Sequence, residues 1–197
     1  MTIADRLINK MIQHNIIKKE DEEIYQFGLE GLILKLFHYS TYLLIAILFK
    51  AVFEFILFFI AFLILRKNAG GYHAKTKTGC YLLSCLTIIG VIFLDRFILG
   101  MNLSNLEIKI GFVLLLVADI FIWCVAPLGN RNRILEDKEI EYYRKITRIV
   151  LTVENVTVLL LAWKHGESYT IPIFLAIWTQ AIILLIEEIR KKLSKYL

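Results

Sequence analysis

The chain has 197 residues, enough for one domain, and 58% of them are hydrophobic, with a mean hydropathy of +0.64. An apolar share this high excludes an ordinary soluble domain and points to a membrane protein. The net charge of +5 would suit a nucleic-acid partner in a soluble chain, but here the placement of the charges accounts for it without one.

Residues 1 to 28 hold Arg6, Lys10, Lys18, Lys19 and the acidic run Glu20-Asp21-Glu22-Glu23. They contain no signal-peptide pattern, so the first span is expected to act as the insertion signal and to stay in the protein. Within residues 3 to 16, Ile3, Leu7, Ile8, Met11, Ile12 and Ile16 share one helical face. That pattern fits an amphipathic helix on the inner leaflet, or one packed on the protein's own core. Residues 1–28 therefore read as an amphipathic cytoplasmic segment and 29–197 as a polytopic membrane domain.

Six stretches read as membrane helices: 31–49, 51–65, 81–99, 109–128, 148–163 and 170–187. A crossing needs about 20 residues, so 51–65 is short and relies on Lys50 and Glu54 snorkelling. Positive charge sets the orientation. Residues 1–28 and 66–80 hold four Lys/Arg each, 129–147 hold five, and the tail from 188 holds four. The alternate connections hold one each, Lys50, Lys109 and Lys164. This alternation fits an all-α membrane protein of about six crossings with both termini in the cytoplasm.

The cytoplasmic loop RKNAGGYHAKTKTGC, residues 66–80, carries three of the ten glycines, a histidine and a cysteine. On a straight helix His73 and Cys80 would stand about 10.5 Å apart, so any joint action requires the backbone to fold back. Gly70, Gly71 and Gly79 suit such a bend. Cys80 also stands at the start of the third span, where a helix N-terminus favours negative charge, and the thiolate is the nucleophilic form of cysteine. Two readings follow from spacing alone. Cys80 is a nucleophile with His73 as base and then acid, or the loop is an ordinary positive-inside connection with a stray His and Cys.

Cys85 and Cys124 lie in apolar runs and read as small core residues. The odd count of three cysteines argues against a disulfide framework. His14, His38, His73 and His165 are scattered, with no zinc spacing, and NAGGYH lacks the Lys-Ser/Thr of a phosphate loop. No metal or cofactor is expected. Asp119, Glu154 and Asn155 lie inside spans, where ionisable groups are costly. They read as an interhelical hydrogen-bonded set or as part of a pathway. Asn68, Glu30, Glu54 and Glu154 are the groups within reach of being a third member beside Cys80 and His73.

The loop resembles the accessory gene regulator B (AgrB) family of bacterial membrane cysteine endopeptidases. That family's pattern is an Arg after a hydrophobic span, then Gly-x-His, then a Cys opening the next span. Arg66, Gly71, His73 and Cys80 match it in order and spacing. FEFILFFIAFLILRK, and Ala126-Pro127 followed by NRNR, look similar as well. The resemblance implies that Cys80 and His73 cut an AgrD-like propeptide near its C-terminus through a thioester. A Cys or Ser of the substrate then closes a thiolactone or lactone ring, giving a quorum-sensing autoinducer. It also implies a homodimer. Arg66 could hold the loop, pair with the substrate tail or stabilise the oxyanion, with Gly71 beside it. Lys75, Lys77, Arg131 and Arg133 are candidates for binding the acidic tail. The readings from other classes are a small peptide transporter, with Asp119 and Glu154 on its pathway, and a non-catalytic membrane protein that docks a peptide.

Overall fold

The computed structural model describes residues 3–101, 105–129, 135–165 and 167–194. Seven α-helices follow one another: α1 Ile3–Gln13, α2 Glu22–Leu48, α3 Val52–Ala69, α4 Lys77–Gly100, α5 Asn105–Val125, α6 Asp137–His165 and α7 Glu167–Leu193. Among the described residues there is no strand, only an isolated parallel bridge between Gly70 and Leu128. The chain is an all-α integral membrane protein. α2, α4, α5, α6 and α7 are each long and apolar enough to cross a membrane. Five helices rather than six meet that requirement. The exception is α3, which has 18 residues and carries Glu54, Arg66 and Lys67.

The chain divides into two compact units, Met1–Ile45 and Ala46–Leu197. In the first, α1 buries Ala4 and Ile8 and leaves Ile3 and Leu7 exposed. Gln26 on α2 donates to the Asp5 carboxylate at 3.0 Å. The periodic face expected to reach Ile16 stops earlier, because Asn15 turns left-handed at φ 54°. The Ile16 amide then returns to the Met11 carbonyl at 2.9 Å and the Asn15 amide to Ile12 at 3.0 Å. This pair of bonds is a Schellman stop, a role in which Asn substitutes for Gly. Residue 28 lies inside α2, which starts nine residues before the expected span at 31.

The second unit opens with the same device. Lys50 is left-handed at φ 50°, and the amides of Ala51 and Lys50 return to Ala46 and Ile47 at 2.8 and 2.9 Å. Arg96 of α4 donates to the Phe49 carbonyl at that turn. The unit is built around α7, which packs on α3, α4, α5 and α6. Half of its most apolar window is buried, against 22% or less in α4, α5 and α6. Those three helices therefore keep large apolar faces outward (Leu86, Phe97, Val113, Leu160), as helices solvated by lipid do. Where α5 and α6 meet, the Arg148 guanidinium lies 4.7 Å over the Trp123 ring, a cation–π contact.

Candidate active site

The stretch after α3 is bent by two glycines. Gly70 has φ 71° and ψ −147°, and its amide caps α3 through the Arg66 carbonyl at 3.2 Å. Gly71 follows at φ 110°. A Cβ on Gly70 would lie 2.4 Å from the Leu128 carbonyl oxygen, and one on Gly71 would lie 2.9 Å from an Arg66 guanidinium nitrogen. Only glycine fits either position. Gly79 is different. It sits in the first turn of α4, where its amide donates to the Thr76 side chain at 3.0 Å, so it is part of a helix cap rather than of the bend. That cap also starts α4 at Lys77, four residues before the expected span, and places Cys80 one turn inside the helix.

The loop is held from three sides. From α3, Arg66 donates to the carbonyls of Gly70 and Tyr72. From the α5 end, the Gly71 amide donates to Leu128 and the Leu128 amide to Ala69, both at 2.9 Å. The Ala126-Pro127 dipeptide, whose peptide bond is cis, leads directly into that contact. From α7, Gln180 donates its side-chain amide to the Gly70 carbonyl at 2.9 Å, and the Ile183 carbonyl accepts the Tyr72 amide at 3.3 Å. Of the three tasks open to Arg66, these bonds engage it in holding the loop.

The bend brings the two reactive side chains together. Cys80 Sγ lies 3.9 Å from His73 Nδ1, the outer limit for a hydrogen bond to sulfur. Catalytic hydrogen bonds are often this long before substrate arrives. Cys80 is half-buried and Lys75 and Lys77 are exposed. The proton affinity of His73 is lowered below the usual histidine value, first by burial of its ring and then by the Arg66 charge, while the Glu187 carboxylate opposes both. The imidazole is therefore neutral near pH 7 and able to accept a proton. If it acts as the base, kcat/KM falls only where His73 becomes protonated. The acid limb of the pH profile should then lie below about pH 6.5, the ordinary histidine value. A limb above 6.5 would show a different group titrating.

Two residues of this site carry no signal in the sequence. Gln180 and Glu187 lie in an apolar helix and are both fully buried. Glu187 is held by Arg190 through two bonds of 2.6 and 2.9 Å, and its charge is felt by both Arg66 and His73. Of the groups considered from sequence as a third member, Asn68, Glu54 and Glu154 do not take that place. Asn68 bonds the Ile64 carbonyl at 2.8 Å within its own helix. Glu30 lies in the first unit beside Gln26. Glu54 and Asp95 line a small cavity with Phe58 and Ile88. Glu154 meets Asp119 between α5 and α6, where Asn155 bonds Asp119. Arg131 and Arg133 lie outside the described residues. Among the described residues no three His, Cys, Asp or Glu side chains are placed to hold a metal ion.

Fold and site together describe a polytopic membrane protein whose central helix braces a loop that sets a thiol against an imidazole. The family model for accessory gene regulator B matches residues 4–184, and the chain belongs to that family. It is 28% identical over 190 residues to the Putative AgrB-like protein of Clostridium perfringens strain SM101, covering 91% of this chain and 88% of that one. It is 28% identical over 181 residues to the Putative AgrB-like protein 2 of strain 13, covering 89% and 82%. No solved structure matches the chain. Membership gives the protein a role in the accessory gene regulator system of bacterial quorum sensing.

Proposed function

We propose that this protein is a membrane cysteine endopeptidase that cuts an AgrD-like propeptide near its C-terminus and promotes ring closure of the product. The observation that carries this reading is the apposition of Cys80 and His73 across a bend that only glycine can make. In the proposed reaction His73 takes the thiol proton as Sγ attacks the scissile carbonyl carbon. The C–N bond then breaks, and His73 returns the proton to the leaving amine of the tail. The N-terminal part remains as a thioester on Cys80. A thiol or hydroxyl of the substrate gives its proton to His73 and adds to that thioester, Cys80 leaves as thiolate and takes the proton back from His73, and a thiolactone or lactone is released. Such an intermediate survives only where water is restricted, and in this reading bound substrate and the bilayer interface cover the exposed Cys80–His73 pair. First-turn amides of α4 are suited to the oxyanion. Lys75 and Lys77, close to Cys80 in sequence, suit an acidic substrate tail, and Arg131 and Arg133 are further candidates by sequence alone. We assign the enzyme to the bacterial cell membrane as a homodimer.

In this reading both termini and the loop are cytoplasmic, which requires α3 to return across the bilayer. Its 18 residues span about 27 Å, just short of the roughly 30 Å hydrocarbon core, and its charges sit near its ends where they can snorkel. A reporter fused after Arg133 should be cytoplasmic and one fused after Asn105 external. The opposite result at either site contradicts this orientation.

Function is tested by co-expression with the small amphipathic reading frame nearest the gene and mass spectrometry of the product. The reading predicts a truncated peptide lighter by one water than its linear form. With Cys80→Ser, an unchanged peptide pattern would favour transport or docking instead.

A further inference from the structure

We propose that Glu187 is the third member of the site, a positioning residue whose charge balances Arg66 and stabilises His73 once the ring has taken the Cys80 proton. This rests on the reading of Cys80 and His73 as nucleophile and base. The loop runs alongside α7 in step with it. Gly70 meets Gln180, and Tyr72 meets Ile183. Glu187 stands one helical turn, about 6 Å, beyond Ile183, and His73 is the residue after Tyr72. His73 is thereby level with the turn that carries Glu187. The effect of Glu187 on both His73 and Arg66 agrees with that placement.

The chemistry gives the carboxylate a task. Arg66 from α3 and Arg190 from α7 are both cationic, and proton transfer adds an imidazolium beside them. Without Glu187 three positive groups would share one partly buried site. Glu187 has 0% exposure and both oxygens fixed by Arg190. A buried pair of this kind stabilises a fold little better than apolar side chains would, so its place one turn beyond Ile183, whose carbonyl holds the loop, argues for a charge role. The neighbouring Glu188–Lys192 pair at 3.3 Å is surface-exposed by contrast. Among the described residues, the other titratable groups bearing on this pocket are Cys80 of α4, which acts on Arg66, and Tyr72 of the loop, which acts on Arg190.

The test is the titration of His73 in the full chain, by NMR of protein carrying labelled histidine in detergent micelles, with the signal assigned from His73→Gln. Glu187→Gln should move the midpoint down by roughly half a unit or more, because the anion favouring imidazolium is gone. Glu187→Asp should restore it in part, and Glu188→Gln should leave it in place. Where the single variant does not fold, Glu187→Gln with Arg190→Gln removes the pair together. The midpoint should still fall, since Arg190 is partly exposed and screened. An unmoved or raised midpoint in either folded variant overturns the proposal and assigns the pair to packing. The Cys80–His73 reading is tested separately. Propeptide processing that survives Cys80→Ala defeats that reading, whereas lost processing with an unmoved His73 midpoint defeats only the role of Glu187.

Discussion

Cys80→Ala should abolish propeptide cleavage outright while leaving membrane abundance and substrate binding intact, and His73→Ala should slow it roughly 10²–10⁴-fold. The difference follows from the chemistry. Without Sγ there is no covalent step. Without the imidazole the nucleophilic sulfur remains and only its positioned proton acceptor is lost, so a slow route remains. Neither change should unfold the protein. His73 is exposed over much of its surface, with its ring only partly buried, and Cys80 is half-buried in a helix whose start is set by Thr76. Cys85→Ala and Cys124→Ala supply the controls, with cleavage near the unmodified level. The comparison is made from initial rates of tail release in membranes matched for protein amount. Equal loss in the two control variants would place the chemistry elsewhere.

Gly70→Ala should be nearly as damaging without removing any reactive group. Gly70 holds a backbone conformation at φ 71° and ψ −147° that costs other residues about 1–3 kcal/mol. Its new methyl would also overlap the Leu128 carbonyl at 2.4 Å. That carbonyl accepts the Gly71 amide, so the loop must separate from the α5 end and carry His73 with it. A displacement of about 1 Å at reacting groups is enough for a roughly 10²-fold loss. Gly90→Ala is the matched control. It lies mid-helix in α4 with nothing within 4 Å of the added carbon, and alanine is the better helix former by about 1 kcal/mol. Gly70→Ala should lose cleavage rate and thermal stability, whereas Gly90→Ala should keep its cleavage rate and gain slightly in thermal stability. Similar behaviour of both would mean that the Gly70 bend does not position the dyad.

The sequence made the helices legible because lipid-facing spans are apolar on nearly every side, and their runs need no partner to be recognised. It was less informative about their ends. α2 and α6 continue well beyond the apolar runs into polar turns, since helical hydrogen bonding does not stop where hydropathy falls. The stops at Asn15 and Lys50 are set by left-handed residues, of which only Asn has a compositional signal. In the site, Arg66, Gly71, His73 and Cys80 stand close together in sequence, and the glycine pair announces a bend. Gln180 and Glu187 stand more than a hundred residues away in a helix that could be read as plain membrane span. Glu187 lies at the edge of a Lys/Arg-rich tail, where a carboxylate reads as one charge among several. Its full burial is a product of tertiary packing, which a single sequence does not display. The dipeptide Ala126-Pro127 was visible as a motif, but its contact with residues 69–71 was not.

The most direct measurement of the central claim is capture of the acyl-enzyme. A propeptide whose internal Cys is changed to Ala keeps the scissile bond and lacks the second nucleophile. The enzyme should then release the tail in a single burst and accumulate an adduct carrying the N-terminal part of the substrate. Mass spectrometry should place it on the peptide containing Cys80, and neutral hydroxylamine should remove it, as it does a thioester. Slow hydrolysis should follow. An adduct on Cys85 or Cys124, or tail release at the normal rate from protein lacking Cys80, would contradict the account.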